Sequence, residues 1–323
     1  MLLVDTDLPA GEHTNMQPYA GRGWCRMEFN ASGLVKDDSA LISLKGQTGK
    51  EKDLDEVRRN GKAAREPAAP PAAFASTLEA DVASGSTKFT NSGDVKVVAT
   101  IYGKAFAAEM KAAVVLSYMS LGWDDAQMLA LCEALRAAHE GGGLKELKTF
   151  NLQGNKMGDG AMTTLAALLK EGAMPKLETL HLWGNKISHV GVAALASALR
   201  GGALPSCTFI NLENNQISEA GVAALASALL AGVLPSCQRF VLGGNPGSDA
   251  SVDKALASPE RKTALARRWP SAGKKLLGTV GAVTRLARTS SGPAAPARTS
   301  SSVPRLTSKG SLTESGSQGS RQG

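Results

Sequence analysis

Residues 191–199 read GVAALASAL, and residues 221–229 read GVAALASAL again, thirty positions further along the chain. Nine identical residues at a fixed spacing indicate that the chain repeats a structural unit of thirty residues. Alanine and leucine, which dominate this stretch, are strong helix formers. The stretch therefore predicts a helix that occurs once in every unit.

Blocks of thirty residues align without a gap at 147–176, 177–206 and 207–236. A decayed fourth block begins at residue 237, and an upstream block from Leu116 fits the same frame at a spacing of 31 residues. Alternating apolar residues in each block predict a short strand before the helix. Serine stands where a helix N-cap is needed, and glycine and proline follow each helix, so every unit is a strand, a turn and a helix.

Asparagine recurs in register after each predicted strand. An asparagine amide can donate to and accept from the backbone of a turn, so stacked copies are expected to form a ladder through the structure. The predicted ladder positions are Asn155, Asn185, Asn215 and Asn245, with Asp124 at the corresponding place of the upstream block.

These units resemble the long, helix-bearing leucine-rich repeat of the ribonuclease-inhibitor type. The resemblance is strong over residues 147–236 and looser over 113–268. It implies an α/β solenoid, a short horseshoe with parallel strands on the concave face and helices on the convex face. Repeats of this kind bind proteins on the concave strand layer, which favours a non-catalytic interaction module for a protein partner.

The strand residues that alternate with the apolar ones are expected to face such a partner. We predict that Trp183 and Phe209, in adjacent units, form one exposed aromatic patch, with a Trp183 ring folded over the strand edge as the alternative. The partner-binding candidates are Tyr118, Asn151, Gln153, His181, Trp183, Phe209, Asn211, Glu213 and Arg239.

The flanking segments divide by composition. Residues 1–48 form a partial α/β segment with an RGWCRME motif, and 49–75, rich in charge, Pro and Ala, are expected to be a linker. Residues 76–112 are expected to form a helical N-terminal cap, because Val98, Ile101, Tyr102, Ala105 and Phe106 fall on one helical stripe. The repeats then occupy 113–268, and a basic Ser/Arg-rich tail from 269 to 323 is expected to be disordered.

The charge of the chain is uneven. From residue 261 onward it carries twelve Lys or Arg and one acid, hence +11, so the remaining residues carry 7 − 11 = −4. An anionic partner or membrane surface is one hypothesis for the tail, in which 274–288 would form a basic amphipathic helix; phosphorylation next to its arginines is another. No strong nucleic-acid signal accompanies it, because clustered aromatic residues are missing.

The N-terminal motif has a second resemblance. Tyr19, Arg22, Trp24, Cys25 and Glu28 resemble the W-C-x-x-E segment of Toll/interleukin-receptor-like domains and of related protist signalling proteins. That resemblance makes Glu28 a weak candidate for NAD cleavage. Only eighteen residues precede the motif, so we expect a truncated remnant of an NAD-cleaving or nucleotide-sensing receptor rather than a complete site.

Other chemistry has little support in the sequence. Cys25, Cys132, Cys207 and Cys237 form no C-x-x-C pair, and the histidines lack metal-ligand spacing. We therefore expect no metal, no cofactor and no catalytic triad, and a cytoplasmic location, since no signal peptide or membrane span is evident. A third alternative is a GTPase activator resembling the Ran activators, although those carry an acidic tail and this tail is basic.

Overall fold

A computed structural model describes residues 2–3, 21–35, 42–43 and 65–270. These residues all belong to one compact unit of the chain, residues 1–278. The predicted tail beyond residue 270, the proposed helix at 274–288 and most of the predicted linker lie outside the described residues.

The described chain alternates short strands and helices. The strands are β1 (Leu2–Leu3), β2 (Ile42–Ser43), β3 (Val115–Ser117), β4 (Thr149–Asn151), β5 (Thr179–His181), β6 (Phe209–Asn211) and β7 (Arg239–Val241). The helices are α1 (Gly23–Val35), α2 (Pro71–Ala83), α3 (Asp94–Ala112), α4 (Asp125–Glu140), α5 (Asp159–Lys170), α6 (His189–Arg200), α7 (Glu219–Leu230), α8 (Ala250–Ala257) and α9 (Pro259–Arg268).

Strands β3 to β7 form a five-stranded parallel sheet in sequence order, with one helix between each pair of neighbours. Parallel neighbouring strands need a crossover connection, and here each crossover is a helix. The helices pack on one face of the sheet, and the buried core lies between them and the sheet. The two identical stretches lie in α6 and α7. The predicted α/β solenoid is confirmed.

The spacing of the first unit corrects the predicted alignment. Thr149 pairs with Thr179, thirty residues on, and the next two steps are equal, but Val115 pairs with Thr149, which is 34 residues on. The predicted spacing of 31 is therefore wrong. The cause is the helix: α4 has 16 residues and α5 has 12, so the first unit contains one additional helical turn.

The side chains of the repeated stretch have distinct roles in α6. Val192, Leu195 and Leu199 are buried in the core between the helix and the sheet. Gly191 lies so close to the preceding unit that an added Cβ would come within 2.7 Å of Asp159 Oδ1. The same positions of the stretch are buried in α6 and in α7, so the two copies occupy equivalent environments.

The asparagine side chains bond the backbone rather than one another. Asn185 Nδ2 donates to the carbonyl of Leu182 in its own unit and to that of Leu152 in the preceding unit, each at 3.0 Å. Its Oδ1 accepts from the backbone N–H of Met157, also in the preceding unit. The same bonds are made by Asn155, Asn215 and Asn245.

Asp124 is not a member of this ladder, which corrects the prediction. It is the N-cap of α4, where its carboxylate accepts from the N–H of Ala126, and Gln127 completes a capping box. Once the 34-residue spacing is applied, the ladder position of the first unit falls on Leu121. Because β3 is the first strand of the sheet, no preceding unit offers backbone groups to which a ladder side chain at this position could bond.

A second ladder, not predicted from the sequence, runs along the helix N-termini. The carboxylate of Asp159, in the first turn of α5, accepts from the N–H groups of Ser188 and Gly191 and from the Ser188 hydroxyl at the start of α6. Asp125 and Glu219 similarly accept from the N-terminal turns of the helices that follow them. Carboxylates are stabilised there by the free N–H groups and the positive end of the helix dipole.

The N-terminal helices cover the first unit. The buried residues of α3 are Val98, Tyr102, Phe106 and Met110, which recur at a spacing of four residues. Ile101 is 39% exposed, so its predicted place on the buried stripe is wrong. Helix α2 packs against α3.

The described part of the predicted linker is packed rather than open. The Arg65 guanidinium donates to the carbonyl of Ser117 and lies 4.4 Å from the centre of the Tyr118 ring. The indole of Trp123 donates back to the carbonyl of Arg65. These contacts tie the segment before α2 to the first strand of the sheet.

Replacing Asn185 with Ala is expected to lower the free energy of unfolding by about 1–3 kcal/mol, because buried backbone groups of two units lose their partner. Asn245→Ala is the matched comparison and should cost less, since that side chain is only partly buried and water can reach its partners. Urea denaturation followed by circular dichroism measures both. Equal midpoints for wild type and Asn185→Ala would contradict the ladder.

Asp159 gives a pH-dependent prediction. Burial acts to raise its pKa, but the hydrogen bonds from Ser188 and Gly191 outweigh burial and hold the pKa below the usual range. The ionised carboxylate therefore stabilises the fold at pH values above the pKa of Asp159 in the unfolded chain, about 4. This contribution is lost as the pH falls through the lower pKa of Asp159 in the folded protein.

We accordingly expect Asp159→Asn to be less stable than wild type at neutral pH by up to about 1 kcal/mol, because the carboxylate is partly exposed and solvent screens its charge. The difference between the two proteins should shrink as the pH is lowered below about 4. Denaturant titrations of both proteins across this range test it. A difference that stays constant down to the acid limit would show that the charge of Asp159 is irrelevant.

Candidate interaction surface

The face of the sheet opposite the helices is accessible, and we call it the open face. Its side chains come from alternate positions of the five strands and of the two residues that follow each strand. From β3 to β7 they are Val115, Ser117 and Met119; Thr149, Asn151 and Gln153; Thr179, His181 and Trp183; Phe209, Asn211 and Glu213; and Arg239, Val241 and Gly243. Eight of the nine predicted partner-binding residues are therefore on one surface.

Tyr118 is the exception and corrects the prediction. Its ring is fully buried, stacked 5.4 Å from Trp123, and its hydroxyl donates to the carbonyl of Leu34. The error follows from the 31-residue alignment, which shifts the upstream strand by three positions. The residues that the first strand presents on the open face include Val115, 56% exposed, and Met119, 41% exposed.

Trp183 is 38% exposed at the end of the row that contains Gln153 and Glu213. The predicted patch with Phe209 is wrong, because Phe209 pairs in register with Thr179, four residues before Trp183. Phe209 has a different ring partner, His181, at 5.5 Å in an edge-on arrangement. The open face thus has two separate aromatic sites.

Arg239 completes the second aromatic site. Its guanidinium carbon lies 5.6 Å from the centre of the Phe209 ring, the geometry of a cation–π contact. On the other side of Phe209, burial lowers the pKa of His181, which keeps the imidazole uncharged at neutral pH. The second aromatic site therefore consists of an arginine, a phenylalanine and a neutral histidine on three adjacent strands.

The polar candidates are oriented by local hydrogen bonds. Asn211 Oδ1 accepts from the N–H of Glu213 at 2.9 Å, and its Nδ2 donates to the Glu213 carboxylate at 3.0 Å. Asn151 accepts from the N–H of Gln153 in the same manner. Each asparagine turns the chain after its strand and holds the following side chain in place, so these positions are pre-organised.

Three of the four cysteines, Cys132, Cys207 and Cys237, are buried and behave as apolar residues. Burial raises the pKa of Cys132 and Cys207 to about 12 and that of Cys237 to about 11. Burial and the nearby Glu28 carboxylate also raise the pKa of Cys25, which is only partly buried. The four thiols are therefore protonated at neutral pH, which disfavours nucleophilic chemistry at any of them.

The residues of the N-terminal motif contact the helical cap. The Trp24 indole donates to the Asp94 carboxylate at 3.1 Å, and Arg26 pairs with Asp81 of α2. Glu28, the weak catalytic candidate, is exposed on α1. The contacts of Trp24 and Arg26 give the motif a docking role within the cap, and the resemblance to Toll/interleukin-receptor-like domains stays a hypothesis.

Comparison with known proteins agrees with the repeat architecture. A family model described as Leucine Rich repeat matches residues 173–196, a span that includes β5 and most of α6. No curated protein matches the chain. Together with the five stacked strand–helix units, the match supports a leucine-rich-repeat protein, and repeats of this class suggest a protein-interaction module.

Two further properties concern the described residues only. None of the helices in the described part of the chain is long and apolar enough to cross a membrane. No group of three or more His, Cys, Asp or Glu side chains among residues 2–3, 21–35, 42–43 and 65–270 is arranged to hold a metal ion.

The thiols give a prediction. In the native protein, Cys25 should react with a disulfide reagent faster than the other three cysteines, because its side chain is only partly buried. Cys132, Cys207 and Cys237 are buried, and their thiolate fraction at neutral pH is below about one in a thousand. Absorbance of the released thiol counts the reacting groups, and mass spectrometry locates them. Cys25→Ser should abolish the fast phase. Fast labelling of Cys207 or Cys237 would instead indicate an accessible thiol pair.

Proposed function

We propose that this protein is a non-catalytic interaction module that binds a protein partner on the open face, the strand surface that the repeat pattern predicts to be concave. The observation that carries the proposal is Trp183, a large aromatic side chain of the open face that is 38% exposed. Exposed Trp and Arg are enriched among residues that dominate binding energy.

The surroundings of Trp183 support this assignment. Around Trp183, Phe209 and Arg239, seven of the other twelve positions of the open face carry uncharged polar side chains. Aromatic anchors surrounded by adaptable polar groups are typical of surfaces that recognise proteins. The backbone beneath is held by the asparagine ladder, so little ordering entropy is lost on binding.

Replacing Trp183 with Ala is expected to weaken partner binding by about 2 kcal/mol or more, hence at least about thirty-fold. The matched control is Leu230→Ala, which removes a side chain of similar exposure, 40%, from helix α7. Partners captured from native extract by the full chain are quantified for wild type and both variants. Thermal melts of the three proteins establish that each is folded.

The proposal requires partners that are lost with Trp183→Ala and kept with Leu230→Ala. If Trp183→Ala unfolds the protein, Trp183 is a core residue and does not serve as an anchor. Thr179→Arg then tests the same face without removing an apolar side chain. Unchanged capture by Thr179→Arg would mean that the partner binds elsewhere.

A further inference from the structure

Arg239 is a positive charge whose counter-charge the described chain does not supply. The residue is exposed at the start of β7, with its guanidinium over the Phe209 ring. Within the described residues no carboxylate or carbonyl is bonded to this guanidinium. Stacking on a ring orients the planar fork while leaving its N–H donors available, and such a fork suits a carboxylate that accepts two bonds.

The other charged residue of the open face does not neutralise Arg239. Glu213 is adjacent to Gly243, where an added Cβ would lie 3.4 Å from Glu213 Oε1. Gly243 is four residues beyond Arg239, so the backbones of these two residues are roughly 13 Å apart at about 3.3 Å per residue. Among the described residues, no ion pair joins Glu213 and Arg239. Asn211 already binds the Glu213 carboxylate. The charge of Arg239 is therefore left for a partner.

The charge pattern of the open face selects the kind of anion. Its fifteen positions carry one cation, Arg239, and one carboxylate, Glu213. Nucleic acids and anionic bilayers are held by several Lys or Arg acting together, and a carboxylate on the same surface repels them. A single carboxylate bound by one stacked guanidinium fits this pattern.

The distance to Trp183 defines the rest of the partner. Trp183 is two strands away from Arg239 and four residues further along. With strands about 4.8 Å apart and a rise of about 3.3 Å per residue, this separation is roughly 16 Å. An extended segment covers that distance in about five residues.

We propose that the open face binds an extended segment of a partner protein that presents an Asp or Glu carboxylate to Arg239 and, about four to six residues away, an apolar or aromatic side chain to Trp183. This inference rests on the proposed function and specifies its partner. Phe209, on β6, and His181, on β5, lie between the two contacts.

The test is a selection of random dodecapeptides displayed on phage against the immobilised full chain. Wild type is compared with Arg239→Gln, Trp183→Ala and Arg267→Gln, the last being a matched loss of an exposed arginine on helix α9. All four proteins keep the basic tail, so any acidic preference caused by the tail is common to them. Circular dichroism melts confirm folding.

We expect wild type and Arg267→Gln to enrich peptides with an acid and an apolar residue at the stated spacing. Arg239→Gln should lose the acidic preference and keep the apolar one, and a selected peptide should bind Arg239→Gln at least about tenfold more weakly by fluorescence anisotropy. Arg239→Lys should restore part of this loss, because it retains charge without the planar fork.

Two outcomes overturn the inference and are distinguishable. If peptides are enriched by wild type and lost with Trp183→Ala, but their acidic preference is absent or survives Arg239→Gln, the carboxylate assignment fails while the proposed function stands. If wild type enriches no sequence over Trp183→Ala, binding on the open face fails, and the partner specification fails with it.

Discussion

A buried asparagine amide that must satisfy the backbone of two successive units is the constraint on which the solenoid depends. Asn185 bonds carbonyls at both Leu182 and Leu152 and receives the N–H of Met157. An unpaired backbone group in that interior costs about 1–3 kcal/mol, so each turn after a strand adopts the same path. The regular path in turn sets the strand register, the helix positions and the direction of every side chain on the open face.

Much of the fold follows from the sequence because the units are nearly identical. Residues at corresponding positions of the units in 147–236 have equivalent neighbours. Aligning the units with one another therefore gives both the thirty-residue spacing and the ladder asparagines. The first unit could not be aligned in this manner, because its helix α4 has 16 residues where α5 has 12, and an alignment at a fixed spacing cannot accommodate the difference. The shift of three residues changed Tyr118 from an interior to a surface assignment.

The open face was predictable in outline and less so in detail. Alternation along a strand identifies which residues share a face, and Trp183, Phe209 and Arg239 were found by that rule. Which rings touch depends on side-chain rotamers and strand register, so the contact of Phe209 with His181 was not evident. The acidic ladder left a signal, since Asp125, Asp159 and Glu219 occupy equal positions, but His189 interrupts the series.

The ladder bonds also have a direction. Each asparagine holds the unit before it, through Leu152 and Met157 in the case of Asn185, and no amide holds the unit after it. If a unit is lost at the C-terminal side, the ladder asparagine of the unit before it keeps all its hydrogen bonds. If a unit is lost at the N-terminal side, the asparagine of the next unit loses its backbone partners and is left buried and unpaired. A gene for such a protein can therefore lengthen or shorten at the distal end by duplicating or deleting thirty codons.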